Sequence, residues 1–107
     1  MINAVGDPNG AANVYREILK QNPGRAEIHN NLGLVLMQMK DSKAEVAFKE
    51  ALRLKPDYAE AHYNLALALL QTGRKEESSS EFEKAYQLAP QLRATGKPSG
   101  SQPPPKN

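Results

Sequence analysis

The stretch AEIHNNLGLVL, residues 26–36, returns as AEAHYNLALAL at residues 59–69. Seven of the eleven residues are identical at an offset of 33. Each copy is followed by a second apolar pattern of helical spacing that ends in a proline, at residues 48–56 and again at residues 82–90. A period of 33 to 34 residues is typical of stacked two-helix units, each too small to bury its apolar face without a neighbour. The sequence therefore predicts a helical repeat array.

The spacing of apolar residues, prolines and glycines predicts five helices and no strand. The predicted helices are 8–21, 26–39, 42–54, 59–72 and 75–88. Gly73 ends the fourth because a residue without a β-carbon tolerates a left-handed turn. Pro56 and Pro90 end the third and fifth because proline disfavours helical geometry in the residue before it. Short connections force neighbouring helices to be antiparallel, so we expect an all-α fold of helix-turn-helix units.

The two units resemble the tetratricopeptide repeat (TPR). The pattern of that family has a large aromatic residue, Leu-Gly and Tyr on a first helix, then Ala, an aromatic residue and a terminal Pro on or after a second. The matching positions are Leu32, Gly33, Ala44, Phe48 and Pro56 in the first copy, and Leu65, Ala66, Ser78, Phe82 and Pro90 in the second.

The departures from the family pattern fall at packing and turn positions. His29 and His62 replace the aromatic residue, and Ser78 places a hydroxyl group where the family has a small apolar residue. The turn of the first copy, at residues 40–42, lacks the glycine that Gly73 supplies in the second. These substitutions bear on stability and helix angles, and none of them carries chemistry.

The resemblance implies a short right-handed α-solenoid. Residues 1–25 are then a partial repeat, the second helix of a truncated unit, with Tyr15 and Ile18 on its apolar face. Residues 26–58 and 59–92 are two full repeats, and the Gly-, Ser- and Pro-rich residues 93–107 are expected to be a disordered tail.

Charge and composition exclude several functional classes. Residues 1–90 hold 11 basic and 12 acidic side chains, a balance of −1, so the folded part lacks the basic stripe that nucleic-acid binding requires. No apolar stretch approaches the length of a membrane span or a signal peptide. The chain has no cysteine, which removes thiolate metal and redox sites. We expect no nucleic-acid or membrane partner, and a cytoplasmic location is favoured.

No catalytic constellation is evident. His29 and His62 occupy the same place in successive units and are expected to be packing residues rather than metal ligands, since no third ligand recurs nearby. No histidine lies close in sequence to activate the serines at 78–80. We therefore predict that the chain is not an enzyme and holds no cofactor or metal.

A binding surface is what remains. In TPR arrays the first helix of each unit lines a concave groove, and positions spaced by three and four form one stripe on each such helix here. The predicted groove residues are Glu27, Asn30, Asn31, Leu34, Met37 and Gln38 on the first of these helices, and Glu60, Tyr63, Asn64, Leu67, Leu70 and Gln71 on the next.

The prediction is a non-catalytic module that binds an extended or helical segment of a partner protein in this groove. Asn31 and Asn64 recur in register, and either bond a ligand backbone or join neighbouring helices. The comparable positions hold no pair of cations, so a clamp for a C-terminal carboxylate is not expected. Two alternatives are self-association into a homo-oligomer through uncapped repeat ends, and an accessory domain of a larger enzyme.

Overall fold

The structure, a computed structural model, describes the backbone of residues 7–96 and the side chains of residues 7–93. Over this range it is a row of antiparallel α-helices without a strand. The helices are α1 (Pro8–Gln21), α2 (Ala26–Gln38), α3 (Lys43–Leu54), α4 (Ala59–Gln71), α5 (Lys75–Leu88) and α6 (Gln91–Gly96). The five predicted helices are confirmed, with every boundary within one residue.

The sixth helix was not predicted. The tail was expected to begin at residue 93, but α6 runs from Gln91 to Gly96. Pro90 precedes it, and proline suits the start of a helix because its fixed φ is already helical and its missing N–H has no acceptor there. The guanidinium group of Arg93 lies 4.4 Å from the ring centroid of Tyr86, which holds α6 against α5. The rest of the predicted tail, residues 97–107, lies outside the described residues.

The core runs along the row between the first and second helices. Its buried members include Leu32, Leu36, Phe48, Leu65 and Leu69, and the half-buried Tyr15 and Leu19 of α1 pack against it. Where second helices press on their neighbours, Ala51 and Ala85 are fully buried. No helix in the described part of the chain is long and apolar enough to cross a membrane.

Two helices approach each other closely at Gly33 of α2 and Phe48 of α3. A β-carbon on Gly33 would lie only 2.5 Å from a ring carbon of Phe48, and the Phe48 side chain is completely buried. This glycine is required by space rather than by backbone angle, because it lies within a regular helix.

A partly buried ion pair joins the two full repeats. Arg74, before α5, donates to both carboxylate oxygens of Glu45 on α3, at 3.0 and 2.5 Å. Two parallel hydrogen bonds fix the relative orientation of the planar groups better than a single charge contact does. The pair therefore helps to set how one repeat is placed on the next.

The turns between the helices of each repeat have the same geometry despite their different residues. Gly73 has a φ of 81°, and Lys40, 33 positions earlier, has a φ of 56°. In both turns the residue that follows donates its backbone N–H to a leucine carbonyl, Asp41 to Leu36 at 2.9 Å and Arg74 to Leu69 at 3.0 Å. Lys40 thus adopts a left-handed conformation that costs a residue with a β-carbon about 1 kcal/mol.

Replacing Lys40 with glycine should stabilise the protein. Lys40→Gly removes the steric cost of the left-handed backbone, and the gain is partly offset by the greater freedom of glycine in the unfolded chain. We expect the free energy of unfolding to rise by up to about 1 kcal/mol, measured by urea titration. The matched variant Gly73→Ala, whose β-carbon would meet no atom within 4 Å, should lose a similar amount. Destabilisation by Lys40→Gly would contradict this account.

Enlarging the buried alanines should destabilise the array. Ala51→Leu and Ala85→Leu each add three carbons at a position with no exposed surface, and overpacking of this kind costs roughly 1–3 kcal/mol. Ser79→Ala, on the exposed face of α5, is the control and should change stability by less than about 0.5 kcal/mol. Thermal melts of the three variants decide the matter, and equal melting temperatures would contradict the assignment of helix faces.

Candidate functional site

The predicted groove residues lie on one face of α2 and α4, but their side chains differ in solvent exposure. The polar residues at the two ends of the stripes, Glu27, Gln38, Glu60 and Gln71, are exposed. Asn31, Met37, Tyr63, Asn64 and Leu67 are half-buried. Asn30 is only 5% exposed and is thus part of the interior rather than the surface.

Asparagines join the two first helices. Asn64 Nδ2 donates to Asn30 Oδ1 at 3.0 Å, and Asn30 Nδ2 donates to the hydroxyl oxygen of Tyr58 at 3.5 Å. The bond between neighbouring helices, one of the two roles considered for these asparagines, is therefore made by Asn64 with Asn30 and not with Asn31. Burial is the largest cause that raises the pKa of Tyr58, and its bond with Asn30 acts in the opposite direction. The phenol stays neutral and keeps a proton to donate.

Three aromatic rings cluster where α4 meets α5. Tyr63 packs edge-on against Phe82 with centroids 5.3 Å apart, and Phe82 stacks on Tyr86 at 5.9 Å. Edge-to-face and offset arrangements at these distances are favourable for aromatic rings. Tyr63 is therefore oriented by α5, so its ring has a defined position at the edge of the predicted groove.

Two leucines of the stripe are exposed. Leu34 is 36% exposed and Leu70 is 45% exposed, and both rank among the few large hydrophobic residues at the surface of the described chain. Leu67 lies one helical turn from Leu70, because residues three apart are neighbours on a helix. The stripe thus offers aliphatic surface next to the fixed asparagine pair.

The two histidines share a structural role that the sequence did not reveal. His29 Nε2 donates to the carbonyl of Pro23 at 3.0 Å, and His62 Nε2 donates to the carbonyl of Pro56 at 2.9 Å. Each ring thus ties the start of a first helix to the proline that ends the preceding second helix. These bonds add to the packing role that was predicted for the two histidines. The sequence feature that could have revealed them is the proline six residues before each histidine.

The serine that departs from the repeat pattern is also bonded. Ser78 is 1% exposed, and its hydroxyl donates to the carbonyl of Ala66 at 2.8 Å. A buried hydroxyl bonded in this way avoids the cost of an unsatisfied polar group. Within residues 7–93, no group of three or more His, Cys, Asp or Glu side chains lies close enough to hold a metal ion.

Family models for the TPR match three parts of the chain. The matches, all described as TPR or tetratricopeptide repeats, cover residues 4–46, 40–73 and 59–92. A search of curated proteins found no match.

Solved structures of the protein MamA are similar to this chain. A MamA mutant is 31% identical with a TM-score of 0.66, over 69% of this chain and 55% of its own. MamA MSR-1 is 27% identical with a TM-score of 0.73, over 78% and 49%. MamA AMB-1 is 28% identical with a TM-score of 0.76, over 82% and 53%. The chain spans about half the length of the MamA chains it matches.

The three matches overlap and together extend from residue 4 to residue 92. The match at 59–92 spans α4 and α5, the match at 40–73 spans α3 and α4, and the match at 4–46 spans α1 and α2 and reaches the start of α3. The chain belongs to the tetratricopeptide repeat family.

Proposed function

We propose that this chain is a protein-interaction module that binds an extended or helical segment of a partner along the stripes of α2 and α4. TPR units are typically non-catalytic interaction modules. The observation that carries the proposal is the exposure of Leu34 and Leu70 on those stripes, beside the half-buried Leu67. Exposed aliphatic side chains grouped on one face are typical of partner sites on soluble proteins.

The apolar anchors of the partner would meet Leu67, Leu70 and Tyr63. The Tyr63 ring is positioned by Phe82 and Tyr86, so little side-chain entropy is lost when it contacts a ligand. Polar side chains at the ends of the stripes, such as Glu27 and Gln71, would form the solvated rim. The contact area is small, and a dissociation constant on the order of micromolar is expected for such an interface.

The asparagine pair would hold the backbone of the partner. One N–H of Asn64 Nδ2 is donated to Asn30 Oδ1, and Asn64 Oδ1 would accept a hydrogen bond from a backbone N–H of the ligand. Asn31, half-buried and next to the pair, has both a donor and an acceptor to offer. Bonds to backbone groups carry no side-chain information, so affinity from this source would be shared by different ligand sequences.

The test compares two leucines of equal exposure. Leu70 on the stripe and Leu88 on α5 are both 45% exposed, so a charge at either position is expected to leave folding intact. A peptide selected from a displayed library against the folded chain is titrated by calorimetry into each variant. Leu70→Glu should weaken binding at least tenfold because it places a charge in a desolvated apolar contact. Leu88→Glu should leave affinity unchanged.

The reverse result would relocate the site. If Leu88→Glu weakens binding and Leu70→Glu does not, the peptide lies on the second helices and the groove proposal is wrong. The amide shifts of the protein on addition of the same peptide locate the site independently, and we expect shifts at Leu34, Leu67 and Leu70.

A second candidate function is self-association through the ends of the array. Phe48 is completely buried, whereas its counterpart Phe82 in the second repeat is only half-buried. At the other end, Val14 on α1 is 57% exposed and Ile18, one turn further along, is half-buried. Repeat arrays usually cover such faces with a polar capping helix. Second copies of this chain would cover them here.

Association of this kind should depend on concentration and on the end faces. Sedimentation velocity across a hundredfold dilution should show larger species at high concentration. Val14→Glu should reduce them, whereas Val46→Glu, at a similarly exposed valine in the middle of the array, should not. A monomer at every concentration would exclude this candidate.

A further inference from the structure

An open cleft lies on the side of the array opposite to the groove stripes. It lies between α1 and α3 and is floored by His29, Leu32 and Leu36 of α2, with Leu19 and Ala47 among its walls. At 100° per residue these floor positions point away from Leu34 and Gln38 of the stripe. The cleft measures about 280 Å³, several times the roughly 30 Å³ that a water molecule occupies in the liquid.

The corresponding place in the second repeat holds a side chain. His62, the counterpart of His29, is buried, and its Nδ1 lies 2.6 Å from Glu81 Oε1. Glu81 corresponds to Ala47, since Phe82 and Phe48 follow them in the same place. The Glu81 side chain is 16% exposed, so its carboxylate and methylene groups fill the space above His62.

In the first cleft that carboxylate is missing. Ala47 ends at its β-carbon, and His29 is less buried than His62. Its Nε2 donates to Pro23, and no group among residues 7–93 is bonded to its Nδ1. One repeat therefore shows what the empty position of the other would accept, which is a carboxylate carried on a short apolar stem.

The charges around the first cleft suit a carboxylate. Arg16 from α1 and Lys43 from α3 line it, and the ammonium group of Lys43 makes no ion pair within the described residues. The one acidic group in the lining, Glu50, is held by hydrogen bonds from Arg53, which are the largest cause that lowers the pKa of Glu50; the charge of His29 is a smaller cause in the same direction. Its charge is thus compensated by a neighbour.

We propose that this cleft binds a glutamate side chain presented by an apolar segment of another protein. The carboxylate of that glutamate would lie at His29 Nδ1, and the apolar residues next to it in the segment would contact Leu19, Leu32 and Val46. Val46, at the mouth of the cleft, is 65% exposed and gains cover from such a segment. The occupant is a protein glutamate because that is the group seated in the matching cleft of this molecule. The site is separate from the groove and does not depend on it.

A carboxylate at Nδ1 needs an N–H donor there. Because Nε2 already donates to the carbonyl of Pro23, the ring that holds the carboxylate carries a proton on both nitrogens. The charged groups that line the cleft around this ring are Arg16, Lys43 and Glu50.

The experiment uses a capped pentapeptide, Leu-Ala-Glu-Leu-Leu, and its twin with Gln in place of Glu. Each is titrated into the isotope-labelled full chain, and amide shifts are followed. The Glu peptide should shift His29, Leu32 and Ala47, and the Gln peptide should bind at least tenfold more weakly. Equal affinities for the two peptides, or shifts confined to α4 around Leu67 and Leu70, would overturn the proposal.

Exchanging the two clefts provides the matched variants. Ala47→Glu should place a carboxylate at His29, as Glu81 does at His62, and weaken peptide binding at least tenfold. Glu81→Ala should open the second cleft and add shifts at His62 and Leu65, so the proposal stays testable if Ala47→Glu does not fold. Unchanged binding in a folded Ala47→Glu variant would overturn it, and so would an absence of new shifts in Glu81→Ala.

A free carboxylate distinguishes the source of the ligand. Hexanoate has the carboxylate and an apolar stem without a peptide. It should bind at least tenfold more weakly than the Glu peptide, since the flanking leucines add contacts with the walls. Hexanoate binding as tight as that of the Glu peptide would overturn the assignment to a protein segment.

Discussion

The close contact between the two helices of each repeat is the constraint on which the rest of the structure depends. A second helix can lie against its first helix only if small residues are at the contact, and Gly33 opposite the buried ring of Phe48 leaves no room for a β-carbon. Interiors are packed to near-crystalline density, so one additional carbon at such a point has to be accommodated by displacing a helix. The angle of each hairpin, and through it the placement of α2 beside α4, follows from these contacts.

Polar groups inside the array are used to join its parts. Asn30, His62 and Ser78 are the buried polar residues of the described chain, and each is bonded: Asn30 to the next first helix, His62 to a loop and to α5, and Ser78 to a helix backbone. A buried polar group without a partner costs about 1–3 kcal/mol. Other arrangements of the same helices would leave these buried groups without partners. The bonds therefore act mainly by making those arrangements unfavourable.

The two repeats share a backbone but differ in the chemistry they present. Their turns have the same geometry although one has Lys40 and the other Gly73. Their histidines make the same bond to a proline carbonyl, yet Glu81 fills the space beside one of them and Ala47 leaves the space beside the other open. Because the scaffold is held by its small and aliphatic residues, single positions on its surface can change without altering the fold.

The sequence by itself determined the helices, their order and their pairing, since these depend on local periods, prolines and glycines and on the recurrence of the 33-residue pattern. It also identified the stripe of α2 and α4, because residues three and four apart lie on one side of a helix in any context. It did not identify α6, whose six residues lack a periodic apolar pattern and are held by the contact of Arg93 with Tyr86.

Only the tertiary structure decided which side chains of the stripe are exposed enough to contact a partner. Asn30 and Asn64 look alike in sequence, but one is buried beneath the other because the register between α2 and α4 is set by the packing of two whole hairpins. The same holds for the open cleft at His29, which depends on residues from three helices. Local patterns record which side of a helix a residue is on, and the distance to a neighbouring helix is a property of the assembled fold.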